Sequence, residues 1–405
     1  MKMNKMNFNF NTLWVTMLVA SLFFVSCSDD NIDSVVETTG FELNSPDIVS
    51  LIKQDQAQIK QLGYGNLIIP RDINRIPLSA FSDDALWVCT QLTNAGYTAY
   101  LVGGSIRDIA MNIDGDDFDV TTNATHEQME EVFGDKLHIH MVGTLMFESV
   151  EVTPGNPIID LATYQDCPQV YIDKGMVSKE VVDKTLLGDS FQRDLAFNAL
   201  YYEPITGNLL DFHGGLNDIL TKKISTMVDA SVEMSINNRI IPRVCRFKSK
   251  YQFDLADDLE NAMLTEAEEL MEQFPTNITM FNYGKMLNGG YAVRCYENMM
   301  LYKIFAAAFP AVKEMMNDEG YKSYVVAALD EIDNQVNNGM EVSPASAVAT
   351  VIYPAYKLLR ATMTHEEAAN KIIDIQLTKM DLTYEEKAEI MAHPTFRVMR
   401  QSCSA

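Results

Sequence analysis

Apolar and polar positions come in blocks along this chain, and the period of each block predicts an element. Ala85 to Ala95 repeats apolar residues three and four apart, a helical stripe, and Thr98 to Val102 is a short strand-like run. Arg107 to Asn112 reads as a helix, Phe118 to Thr121 as a strand and His126 to Phe133 as a helix. The runs Thr144 to Val152 and Pro157 to Tyr164 read as further strands. Strand and helix thus take turns from about Pro70 to Asp229, the pattern of a small α/β domain. Beyond Ser231 the period is helical throughout. There Thr364-x-x-Glu367 and Thr383-x-x-Glu386 read as capping boxes that open late helices.

The first block differs from the rest. Leu13 to Val25 is a 13-residue apolar run behind Lys2 and Lys5, long enough for a secretory signal and too short to span a bilayer. It ends at Val25-Ser26-Cys27, which resembles a bacterial lipobox cleaved before Cys27. Ser28-Asp29-Asp30 resembles the acidic tag that follows the lipidated cysteine in some Gram-negative surface lipoproteins. The expectation is a lipoprotein signal peptide at 1–26 and an acyl anchor on Cys27 that holds the chain at the outer membrane, exposed at the surface. The alternative is an ordinary signal peptide with an incidental cysteine. Residues 27–65 read as tether and lead-in, with Asn31 to Asn44 as the disordered part.

Composition narrows the class. With 405 residues and 47% hydrophobic positions there is material for two or more domains, and wholesale disorder is excluded. The charge is −25, from 31 basic and 56 acidic residues. That field opposes a tight, sequence-independent grip on nucleic acid, which needs an excess of Lys and Arg. Cys89, Cys167, Cys245, Cys295 and Cys403 are odd in number and widely spaced, so neither a zinc site nor a disulfide framework is indicated. They read as buried thiols.

The chemistry concentrates between Leu101 and Ala124. Gly103-Gly104 follows an apolar run and precedes a helical segment, and backbone N–H groups on such a turn can cradle phosphate oxygens. Asp117-Phe118-Asp119 comes next. In a strand, residues two apart share a face, so both carboxylates would enter one pocket while Phe118 enters the core. A phosphate-binding turn with two convergent carboxylates suits two-metal phosphoryl or nucleotidyl transfer, with Asp117 and Asp119 as ligands for two Mg²⁺. The bland alternative is a solvated acidic turn, which is how Asp114 and Asp116 read. Arg107 would add a charged fork for the triphosphate. His138 and His140 alternate on one predicted strand and read as a surface pair rather than metal ligands.

GGSIRD, DDFDVTTNAT, QRDLAFNALYY and LLDFHGGLNDI, in that order, resemble the head of the bacterial poly(A) polymerase and tRNA CCA-adding nucleotidyltransferases. The poly(A) polymerase branch is the closer match, through IPLSAFSDDALWVCTQLTNAGYTAYLVGG and NYGKMLNGGYAVRCYENMMLYKIFAAAFP, so that the likeness covers roughly Ile69 to Pro354. The resemblance implies an α/β, polymerase-beta-like nucleotidyltransferase head at 66–230 and an all-α neck, body and tail at 231–405. It places Asp160 where the family has an acid beside the metal pair. It also assigns nucleotide binding to Gly103, Gly104, Arg107, Arg193, Asp194 and Asn198, although Asn198 also reads as a satisfied polar group of the core.

Three departures from the family pattern matter. Gln192 stands where the family's first arginine of RRDxxxN would be, and Gln165 where another arginine is expected. In the neck, aligning Arg243 and Arg246-Phe247 puts Asn237 at the base-reading aspartate and Ile240 at the base-reading arginine. Isoleucine donates nothing to a base, and Pro242 is expected to break or kink that helix. Two readings follow. One is a nucleotidyltransferase with a degraded base-recognition motif, which takes a nucleoside triphosphate and an RNA that the charge disfavours; a protein or sugar acceptor is a variant of it. The other is a catalytically inactive surface lipoprotein that uses the fold as a binding or structural module.

Overall fold

A computed structural model describes residues 40–142, 145–273, 280–376 and 384–392. The signal peptide, Cys27, Asn31 to Thr39, Thr383, Cys403 and the side chain of His140 lie outside the described residues. The chain divides into two compact units, one ending at Glu266 and the other beginning at Ala267.

The first unit opens with α1, Pro46–Leu62, inside the stretch read from sequence as tether and lead-in. Proline at its first turn and Gly63 at φ 82° beyond its end delimit it, and Ile48, Ile52 and Asp55 are buried along one side. The spacing of Ile48, Ile52 and Ile59 carries that helical stripe in the sequence.

Among the described residues eight strands form one sheet: β1 Leu67–Ile69, β2 Ala99–Val102, β3 Asp119–Thr122, β4 Leu137–Val142, β5 Leu145–Val150, β6 Ile159–Thr163, β7 Leu200–Glu203 and β8 Asn208–Asp211. Their spatial order is β1-β8-β7-β2-β3-β6-β5-β4. The β3–β6 pair is parallel and its neighbours are antiparallel. A second, two-stranded sheet pairs β9, Lys223–Ile224, with β10, Asp254–Leu255. The strand at 254–255 is an exception to the all-helical reading beyond Ser231.

Helices α2 (Asp83–Asn94), α3 (Gly104–Ala110) and α4 (His126–Phe133) alternate with the first strands of the large sheet. Ser82 caps α2 by accepting the Ala85 N–H, and α2 buries Ala85, Val88, Cys89 and Leu92 at helical spacing. Thr125 and Gln128 form a capping box at the start of α4. Then come α5 (Gly215–Thr221), α6 (Ala230–Ile236), α7 (Ile240–Tyr251) and α8 (Asp257–Thr265), all in the same unit as the large sheet.

The second unit contains α9 (Met280–Leu287), α10 (Ala292–Leu301), α11 (Glu319–Asn337), α12 (Pro344–Leu359), α13 (His365–Gln376) and α14 (Tyr384–Ala392). Its core is apolar and aromatic, with Tyr283, Met299, Phe305, Phe309 and Tyr356 buried. Thr364 and Glu367 close the expected capping exchange at the start of α13. The thiols of Cys89, Cys167, Cys245 and Cys295 are buried. No helix among the described residues is long and apolar enough to cross a membrane.

Candidate functional site

The site grows from the middle of the large sheet. Register sets Val102 opposite Asp119 and Asp119 opposite Asp160, so the last residue of β2 and the acids of β3 and β6 line up across three strands. Gly103 then turns the chain into α3 with φ 90° and ψ −139°, a conformation that suits glycine alone. A Cβ at Gly103 would lie 3.3 Å from Asp119 Oδ2. The glycine turn and the carboxylate are therefore packed against each other.

Asp119 is half-buried at the start of β3, while Asp117 is exposed just before it and Asp160 is exposed on β6. Phe118 between the two acids is buried, with its ring edge-on to Phe81 at 6.1 Å. Burial first, and then the charge of Asp117, push the Asp119 carboxyl up to about 7; Arg193 pulls it down and Asp160 adds to the rise. Three acids and one arginine thus share a field at the start of β3.

Arg107 lies beneath the glycine turn, not at the open face where a phosphate-binding fork was expected. It is 5% exposed. Its guanidinium donates to Asp108 Oδ1 from Nε at 2.9 Å and to Asn198 Oδ1 from Nη1. The rings of Phe197, Phe247 and Tyr251 surround it at 5.5, 5.2 and 5.0 Å. Such a desolvated, aromatic-walled cation anchors packing strongly.

Asn198 bridges two of the predicted residues, since its Nδ2 donates to Asp194 Oδ1 at 3.0 Å. Asp194 Oδ2 is in turn ion-paired with Arg243 of α7. Arg193 reaches Asp189 Oδ2 through Nη2 at 3.3 Å. The structure therefore gathers the predicted residues into two layers. An outer layer holds Gly103, Asp117, Asp119, Asp160 and Arg193. An inner layer holds Arg107, Asn198 and Asp194, tied to α7.

Sequence reasoning passed over several members of this assembly. Asp108 receives Arg107 and also the Tyr251 hydroxyl at 2.8 Å. Asp189 is one helical turn before Arg193, an Asp–Arg spacing that itself signals a pair. Glu233, 2% exposed, accepts from the Tyr171 hydroxyl and from Asn237 Nδ2. Its carboxyl is pushed up to about 7, chiefly by burial.

At the neck, the chain leaves α6 at Asn237 and starts α7 at Ile240. Ile240 is fully buried. Pro242 neither breaks nor kinks α7, contrary to expectation. It falls in the first turn, where a helix has no use for the missing N–H.

Among the described residues no three His, Cys, Asp or Glu side chains form a group that could hold a metal ion unaided. His138 Nε2 lies 3.5 Å from Glu151, an exposed pair.

Comparison with known proteins adds identity to this geometry. Residues 99–225 match the poly A polymerase head domain. The chain is 26% identical over 340 residues to poly(A) polymerase I of Salmonella typhimurium, an alignment that covers 81% of this chain and 72% of that one. It is 30% identical over 249 residues to the CCA-adding enzyme of Bacillus licheniformis, with 60% and 58% covered. The fold is shared with the Thermotoga maritima CCA-adding enzyme complexed with tRNA, at a TM-score of 0.56 and 18% identity, over 80% of this chain and 72% of that one. A polymerase-beta-like head with a mixed sheet is followed by a helical body, as the likeness implied. The chain belongs to the poly(A) polymerase and CCA-adding nucleotidyltransferase family.

Proposed function

We propose that this protein transfers a nucleoside monophosphate from a nucleoside triphosphate to a hydroxyl acceptor, with Mg²⁺, from a domain anchored to the outer membrane through Cys27. The observation that supports this most is the set of Asp117, Asp119 and Asp160 around the glycine turn. A carboxyl raised by burial and then by its acidic neighbours suits a cation. Mg²⁺ commonly takes one or two carboxylates and completes its shell with substrate phosphates and water, so two acids suffice without a protein cage. Asp117 and Asp119 would hold it, with Asp160 beside them. When bound, the ions supply charge neutralisation and a more acidic attacking hydroxyl.

The chain's own residues set the rest. The Gly103 turn lets the backbone approach a phosphate closely, and Arg193 offers a guanidinium whose charge reaches the acids. Arg107 and Asn198 hold the turn from below. The acceptor oxygen bonds to the α-phosphorus, pyrophosphate leaves, and the acceptor's proton is lost. Base choice is weak in this reading. Asn237 and buried Ile240 stand where the family's base-reading groups would be, and a site lacking polar groups to satisfy discriminates poorly.

Ile240 also favours the second reading, a module that binds nucleotide without transferring it. Calorimetry with each of the four ribonucleoside triphosphates, with and without Mg²⁺, tests binding. Dissociation constants are expected within about tenfold of one another, a spread of about 1.4 kcal/mol. Asp119→Asn is expected to remove the Mg²⁺ dependence. Extension of a labelled RNA primer separates the readings, since transfer supports the enzyme and tight binding without transfer supports the module. A strong preference for ATP with robust polyadenylation would overturn the weak-selectivity claim.

A further inference from the structure

Arg193 is the cation nearest the acid cluster in its segment, because Gln192 beside it carries no charge and donates its Nε2 to the Asp166 carbonyl. Its guanidinium is held by Asp189, with the Tyr201 hydroxyl beside both. Asp189, 1% exposed, accepts Arg193 Nη2 on Oδ2 at 3.3 Å. The same oxygen accepts the Tyr201 hydroxyl at 3.0 Å, and Oδ1 accepts the Gln165 N–H at 3.0 Å.

Three donors from three separate segments, the exit of β6, β7 and the loop before Asn198, thus converge on one buried carboxylate. A buried carboxylate is tolerated when its lone pairs are filled, and filling them fixes its plane. The guanidinium is rigid and planar, so a fixed Nη2 contact also fixes the direction of its remaining donors. One of these, Nε, is buried and has no hydrogen-bond partner. Tyr201, which shares the Asp189 carboxylate with Arg193, pairs in register with Val102, and Val102 pairs with Asp119, so this cluster lies across the sheet from the acids.

We propose that Asp189 is a positioning residue, locked by Tyr201, that aims Arg193 at the phosphates of a bound nucleoside triphosphate. This rests on the nucleotide-binding reading above. It makes the buried tyrosine of β7, which no ligand can touch, a determinant of phosphate affinity.

A double-mutant cycle tests the proposal. Asp189→Asn, Tyr201→Phe, Arg193→Ala and each pair with Arg193→Ala are titrated with each of the four ribonucleoside triphosphates and Mg²⁺, and their melting is followed without nucleotide. Asp189→Asn is expected to weaken binding about tenfold and Tyr201→Phe about threefold, the worth of charged and neutral hydrogen bonds. In the Arg193→Ala background both effects should vanish, which a merely structural role does not produce. Tyr201→Phe, which keeps the ring, decides the matter if Asp189→Asn does not fold. Losses that persist undiminished beside Arg193→Ala, or no loss at all, overturn this proposal alone. Absence of binding by the parent protein overturns the nucleotide-binding reading and this proposal with it.

Discussion

Buried acids recur at the scale of single residues, and they tie stability to pH. Asp218 of α5 accepts the Ser225 N–H at 2.8 Å and its hydroxyl at 2.7 Å on one oxygen, yet burial raises its carboxyl to about 7. A folded-state value above the unfolded one of 3.8 means that the folded chain keeps a proton the unfolded chain has lost. The associated stability is complete below about pH 4 and is lost as pH rises through about 7. In Asp218→Asn, where no proton titrates, the fall in stability between pH 5 and pH 8, followed by urea titration, should shrink by about 1–3 kcal/mol. Equal slopes in parent and variant would show that Asp218 does not titrate in that window. The acids before and in β3 were legible because two carboxylates flank one apolar residue, a local fact, although the strand begins only at Asp119. Arg107 was misplaced because its aromatic walls come from Phe197, Phe247 and Tyr251, distant in sequence, and no local pattern announces that a surface-type residue is caged. Glu233 was missed because Tyr171 is brought to it by the fold, whereas the four-residue spacing of Asp189 and Arg193 was legible and passed over.

At the scale of elements, α7 is bolted to α3. Tyr251 closes α7 and donates to Asp108 on α3, while the rings of Phe247 and Tyr251, stacked 6.0 Å apart, both face the guanidinium of Arg107. Removing the hydroxyl alone, Tyr251→Phe, should cost about 1–2 kcal/mol by denaturant titration, because Asp108 loses a partner to its charge. A change below a few tenths would mean that water replaces it. Pro242→Ala, by contrast, should be nearly neutral, since proline fits the first turn it occupies. The helices and first strands of the head followed from apolar period and from caps such as Ser82 and Thr125. β1, β7 and β8 are only three or four residues long, too short for a period to be counted. The break between α6 and α7 was expected at Pro242 and falls at Asn237, where the helical hydrogen bonds already end.

For the whole molecule the acidic balance and the proposed acyl anchor dominate. A charge of −25 repels polyanions, so an acceptor with few phosphates fits the chain better than long RNA. Cys27→Ala is expected to leave the protein in the soluble fraction, and the parent is expected to sediment with outer membranes. Equal sedimentation of both would dismiss the acyl anchor. The large sheet also has a kinetic side. Asp119 and Asp160 meet only through the parallel β3–β6 pair, whose connection includes α4 and the β4–β5 hairpin. Parallel pairing of distant segments forms slowly, because loop closure comes before its contacts. A chain that has made every local helix therefore still lacks the acid pair. Under the proposed function, cation and nucleotide binding would report completion of the sheet, and a chain kept unfolded for export would carry its acids in a form that cannot yet combine.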